Sequence, residues 1–307
     1  MIFNDNGQGA LELRRLTGNY YAGNDFSAIE MDIADATDDI ISVVGRAVYD
    51  KAEGYYHSGS AAADEIRLVE LVQRPVAIMA CLNYFRRNDV SHEDSGRKTK
   101  VSSDGTDKIP WEWQLDRDDA VHLELYYKSV ERLIRFLNDS GNTEWQQTEF
   151  YKLSRTLLIS SGAMFDQYFP IDRSERLYVL LVNFIREIQL SIIQPAYGSG
   201  WDDFISSDAR DNVRFAARKA LALFTMSTAL RRLPLQLIPV GIVRRYNAEN
   251  GMSASEPAAM DDVRNLSSIL ECDAYIWLDR MKVYRDGSSE EYPMLPQNDR
   301  NNKFLRL

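Results

Sequence analysis

The chain has only two cysteines and three histidines in 307 residues, and no catalytic motif of a familiar kind. Each scarcity excludes something. Cys81 lies within AIMACLNYF and Cys272 within SILECDAYIW, with no CxxC and no Cys/His cluster, so neither a zinc ribbon nor a disulfide framework fits. Both are expected to be buried thiols in a reducing compartment. His57, His92 and His122 stand at unrelated spacings without HExxH, and read as surface or structural residues rather than ligands. GxSxG, GxxxxGK[ST] and a strand leading through GxGxxG into a helix are all absent, so acyl transfer, nucleotide hydrolysis and dinucleotide chemistry lack their usual backbone geometry. The expectation is a protein that is not an enzyme and uses neither cofactor nor metal. The opening MIFNDNGQGA has no basic stretch followed by an apolar one, and no run approaches the ~18 apolar residues that span a bilayer. A soluble cytoplasmic protein is expected.

What is present is ordinary for a folded protein. Hydrophobic residues make up 45% and charged residues 27%, which argues against disorder. At ~100 to 200 residues per domain, the length suggests two domains, each able to bury its own core. Lys plus Arg number 36 against 46 Asp plus Glu, a net charge of -10 that repels a polyanion at long range and leaves only local basic strands to attract one.

The chain is organised around Val69 to Val101, an apolar helix ending in Arg86-Arg87, then a polar turn and a basic strand. A shift of 145 positions lays it on Arg214 to Tyr246, with Arg86-Arg87 on Arg231-Arg232, Gly96 on Gly241 and Lys100 on Arg245. Only Ala77, Arg86, Arg87 and Gly96 are identical across the 33 columns, so the case rests on the flanking elements. The helical stripe Phe26, Ile29, Ile33, Ala36, Ile40, Val43, Val44, Ala47 has a counterpart in Tyr178, Val182, Ile185, Ile192, Ile193. The closing helix from Asp118 to Leu137 has one from Asp261 to about Tyr284, carrying Leu266, Ile269, Leu270, Ile276 and Trp277. A helix is also expected from about Thr143 to Gln167. The fold class is therefore mainly α, with two similar helical domains, each a bundle with a small β-hairpin insertion. Asn138 to Asn142 marks the junction, giving residues 1–140 and 141–307, the second ending in a flexible tail after Arg285.

Local features refine this plan. Pro75 falls inside the helix from about Asp64 to Arg87 and predicts a kink or break there. Glu30, Asp32, Asp35, Asp38 and Asp39 read as a solvated helix face; a minority alternative has Asp35, Asp38 and Asp39 holding a divalent metal in an enzyme. Between Asn88 and Pro110 the chain turns polar, and Asp104-Gly105 between extended segments predicts a hairpin with Trp111 and Trp113 on one face of the strand beyond it. Two indoles on a small polar hairpin suit a protein interface, although packing on the following helix also accounts for one of them. The candidate interface residues are Arg97, Lys98, Lys100, Trp111 and Trp113, with Arg244 and Arg245 in the second copy.

Leu68 to Arg87, the Asp94-Ser-Gly96 turn with its basic strand, and the helix from Asp118 together resemble the head-to-tail connector (adaptor or head-completion) proteins of tailed bacteriophages. NYFRRNDVSHEDSGRKTK and WEWQLDRDD also look like prophage-encoded proteins of gut Bacteroidetes. The resemblance implies a non-enzymatic protein that forms a ring under the portal, contacts portal and tail proteins, and passes DNA without reading its sequence. It would reside in the cytoplasm during assembly and afterwards in the virion. A tandem duplication departs from the usual single unit of that family. The alternative from another class is a helical scaffold that binds a cytoplasmic protein.

Overall fold

The computed structural model describes residues 1–20, 23–59, 61–93, 96–99, 111–207, 212–233, 243–247, 253–257 and 260–287. The fold is mainly α, and the chain divides into two compact units, Met1–Lys152 and Leu153–Leu307.

Unit 1 begins with α1 (Gly9–Thr17), a 3-10 turn (Phe26–Ala28), α2 (Glu30–Val44) and α3 (Arg46–Ser58). The predicted first stripe is divided between α2 and α3. Gly45, at φ +89, ends one helix and starts the next, a conformation in which a side chain would be strained. Ile29, Ile33, Ala36, Ile40 and Val44 are buried as expected, whereas Ala47 falls beyond the break and is exposed. Burial resumes on α3 at Val48, Tyr49 and Ala52.

The core of unit 1 is α4 (Ala63–Asn88), against which α1, α2, α3 and α5 (Glu112–Asp139) all pack. Pro75 does not interrupt it. Pro costs about 3 kcal/mol in a helix interior because Leu71 loses its hydrogen-bond donor and the ring crowds the preceding turn. Burial of Leu71, Val72, Pro75, Val76, Ala77 and Ile78 around that point offsets the loss, so α4 continues through it. Between α4 and α5 stand the antiparallel strands β1 (Val90–Glu93) and β2 (Gly96–Thr99). The unit ends later than the expected 140/141 junction, because α6 (Thr143–Gln147) folds back onto it. Trp145 is fully buried and donates to the Asn138 side chain at 2.8 Å, and Glu144 pairs with Lys51.

The helix expected over 143–167 is instead three short ones: α6, α7 (Glu149–Arg155) and α8 (Gly162–Asp166). Thr148 is extended between the first two, and Ser161 caps the third through its hydroxyl. Then come α9 (Glu175–Ile188), a π-helical turn (Gln189–Ile193), α10 (Gln194–Tyr197), α11 (Trp201–Ser206) and α12 (Asn212–Arg232). Strands β3 (Val243–Asn247) and β4 (Ser253–Pro257) pair before α13 (Met260–Arg285). The continuous helix Glu175–Tyr197 is long and apolar enough to cross a membrane by length and composition alone. Its row Tyr178, Leu181, Val182, Ile185, Ile188 and Ile193 is nevertheless buried within unit 2.

The units share a register of 145 residues in their two long helices. Val72, Val76, Ala77 and Cys81 of α4 correspond to Ala217, Leu221, Ala222 and Met226 of α12, and all eight are buried. On the closing helices, buried His122, Ser129 and Leu133 correspond to buried Ser267, Ala274 and Leu278. The strand pairs do not keep this register. β1 begins two residues after α4 ends, whereas in unit 2 the long connection precedes β3. Arg97 and Lys98 therefore lie on the second strand of their pair, and Arg244 and Arg245 on the first strand of theirs.

Candidate functional site

The doubled arginines that revealed the repeat perform the same structural task in both units. Arg86 pairs with Asp119 of α5 at 2.7 Å, and Arg231 with Glu271 of α13 at 3.1 Å. Their neighbours reach the other way: Arg87 pairs with Asp32 of α2 and Arg232 with Glu187 of α9, each at 2.7 Å. A helix C-terminus suits cations, and consecutive residues point about 100° apart, so one dipeptide fastens two neighbouring helices. Asp32 is thus not part of a solvated acidic face. It is buried, and burial raises its carboxyl above the usual range despite the opposing effect of Arg87. Glu30, Asp35, Asp38 and Asp39 are exposed. Among the described residues, no three His, Cys, Asp or Glu side chains gather where they could hold a metal ion.

The predicted interface residues are partly described. Trp111 and Trp113 are not on a strand: Trp111 is the N-cap of α5, its N–H donating to the Gln114 side chain at 3.0 Å, and Trp113 lies in the first turn. The rings are 72% and 50% exposed, so neither is a core residue of unit 1. The side chains of Arg97, Lys98, Arg244 and Arg245 lie outside the described ones, as do Lys100, Asp104-Gly105 and the C-terminal tail from residue 288. The histidines and cysteines are scattered. His57 pairs with Asp5. Buried His122 donates from Nδ1 to the Asp118 carbonyl at 2.9 Å and accepts at Nε2 from Asn19 at 2.6 Å, so its ring is committed to structure. His92 lies on β1. Cys81 is buried, which pushes its thiol up to about 12 and makes it a poor nucleophile. Cys272 is exposed, contrary to expectation, because it faces away from the side of α13 that meets α12.

That outward side of α13 carries large apolar side chains among its polar ones. Val263, Ser267, Leu270, Ala274, Leu278 and Met281 form the buried row, at steps of three and four. Ile269 and Ile276 face away from it, 58% and 53% exposed, with exposed Asp273 between them on the helix surface; Leu266 flanks the buried row, and the Tyr275 ring meets that of Phe224. The sequence places Leu266, Ile269, Leu270, Ile276 and Trp277 on the closing helix without assigning them a face. Separating the buried from the exposed ones requires knowing which side α12 occupies.

A second feature escaped sequence reading altogether. Where α1, α4 and α5 meet in unit 1, a cleft of about 260 Å³ is lined by Arg15, Arg67, Arg74 and Arg132, with Glu70, Leu16, Leu71 and Ser129. Arg67 and Arg74 stand two turns apart on one face of α4, a spacing visible in the sequence. Arg15 and Arg132 come from helices more than 50 residues away, and only the fold brings them in.

The architecture defines a helical protein of two related units, each built on a long central helix, a strand pair and a long closing helix. The chain belongs to a family of unknown function (DUF6712), whose model matches residues 40–155 and 202–304, one stretch falling mainly in each unit. No curated protein and no solved structure matches.

Proposed function

We propose that this protein is a non-enzymatic assembly component of the head-to-tail connector type. It associates with further copies of itself in a ring and with portal and tail proteins, first in the cytoplasm and then in the virion. In this reading each strand pair is a β-hairpin insertion of its bundle, and the basic residues Arg97, Lys98, Arg244 and Arg245 meet acidic faces such as exposed Glu30, Asp35, Asp38 and Asp39 of a neighbouring copy. The observation that carries the proposal is the exposure of large apolar side chains on α13, Leu266, Ile269 and Ile276. Large β-branched side chains more than half exposed on one helix supply apolar area that a partner can bury. Exposed Trp111 and Trp113 at the start of α5 add two aromatic anchors of the sort enriched in interfaces.

Native mass spectrometry and light scattering test this reading, with the chain alone and mixed with products of neighbouring genes. Ile269→Lys with Ile276→Lys should abolish higher-order species and leave the melting temperature nearly unchanged, since neither side chain is core. Trp111→Ala with Trp113→Ala should weaken assembly by about thirtyfold or more, the usual consequence of losing a hot spot worth ~2 kcal/mol. A wild-type chain that stays monomeric both alone and with those neighbours would end the proposal.

A further inference from the structure

We propose that the arginine-lined cleft of unit 1 binds a small, multiply charged phosphate-type anion. Four arginines and one glutamate line about 260 Å³ of space in a protein whose net charge is -10. Only Arg67 has an ion pair there, to Glu70 at 3.6 Å. Among the described residues Arg15, Arg74 and Arg132 have none. Nε of Arg74 is buried and lacks a hydrogen-bond partner, which in a folded protein leaves a donor desolvated without compensation. Gathering like charges around one cavity is unfavourable until an anion enters it, and a guanidinium presents two parallel donors that match the oxygens of a phosphate.

A cleft of about 260 Å³ has room for more than one phosphate group, and four arginines can meet more charge than one carries, which favours a di- or triphosphate group or a small phosphorylated molecule. The site is not a general property of the fold. At the shared register Glu70 becomes Phe215, Arg74 becomes Lys219, whose ammonium is held by the Tyr168 carbonyl, and Arg132 becomes Trp277. Phe215 and Trp277 then meet edge to face at 5.5 Å in unit 2. The cleft is independent of the exposed α13 side chains, so it can stand if the assembly proposal fails, and the reverse also holds.

The test is isothermal titration of the full chain with inorganic tripolyphosphate at low ionic strength, beside a 20-nucleotide single strand. Tripolyphosphate should bind at one site per chain, and affinity should fall with added salt. Arg74→Gln and Arg132→Gln should each weaken binding about tenfold or more, the loss of a charge-assisted contact. Arg74→Lys should weaken it as well, because it keeps the charge but not the fork. Circular dichroism and melting temperature serve as the check that each variant is folded. Absence of tripolyphosphate binding, binding by the oligonucleotide alone, or an equal loss on changing the distant surface residue Arg46→Gln would each overturn the proposal.

Discussion

Units 1 and 2 use the same two long helices in the same register, yet join them through different chemistry. In unit 2, Ser227 and Ser267 exchange bonds reciprocally at the α12–α13 contact, each hydroxyl donating to the other residue's carbonyl, at 2.9 and 3.1 Å. In unit 1 the corresponding residue of α5 is His122, which turns instead to Asn19 and to its own helix. Around the outer junction, rings close unit 2 where arginines leave a cleft in unit 1. The register is common to both and the identity of the residues in it is not. The positions that must be buried are therefore conserved in place by the geometry of the pair, while their neighbours are free to differ.

The sharpest way to separate the units is to break something only unit 2 has. Buried Glu175 at the start of α9 accepts from the Gly162 and Ala163 amides at 3.0 and 3.2 Å. Glu175→Ala strands both donors and should cost ~2 to 4 kcal/mol, read as a lower urea midpoint with faster hydrogen exchange in α8 and α9 and little change in α4 and α5. Gly162→Ala should approach the same size, since its new carbon would lie 2.5 Å from the Ser174 carbonyl oxygen, which is backbone and cannot rotate away.

The matched arginines allow a direct comparison. Arg87→Met leaves the buried Asp32 carboxylate without its cation and should cost about 1 to 3 kcal/mol, below the figure for a fully buried pair because Arg87 is itself half exposed. Arg232→Met breaks a pair exposed on both sides and should shift the urea midpoint far less than Arg87→Met does. Equal losses in urea unfolding would mean that the two doublets are not equivalents at different depths.

Smallest, and opposite in sign between the units, are two responses to acid. Burial raises the Asp32 carboxyl, so as pH falls from its folded value towards the ordinary ~3.9 the native state binds the extra proton and unit 1 gains stability from this group. Bonds from the Ile171 and Arg173 amides lower the Asp166 carboxyl, so its contribution is complete above the ordinary value and is lost as pH falls through the lower folded one. Asp32→Asn should remove the gain. Asp166→Asn, whose amide oxygen can still accept, should flatten the loss in urea midpoints measured from pH 6 to 2.

Periodicity made the long helices legible, because one face of each is buried and 3.6-residue spacing records that directly. The doublet Arg86-Arg87 was legible as a repeat marker, although nothing local told which helices it would reach. Breaks were harder to see. Gly45 in its left-handed conformation and Thr148 in an extended one cut apolar patterns that continue across them, while packing carried α4 through Pro75. Trp111 and Trp113 looked like strand residues because alternation over three positions cannot be distinguished from the first turn of a helix. The cleft could not be read at all, since its four arginines come from three separate helices.

The unlike joints have a consequence for how the chain finds its fold. Two units built on one register risk exchanging partners while they fold, with α4 seizing α13 or α12 seizing α5, a known hazard of tandem domains. At the shared register Leu82 stands where Ser227 does. A mispaired α4–α13 would therefore lose the bond that the Ser227 hydroxyl gives to the Ser267 carbonyl, which Leu82 cannot replace, and a mispaired α12–α5 would part His122 from Asn19. Divergence between the copies thus acts as a proofreading rule, in which each closing helix fits the central helix of its own half.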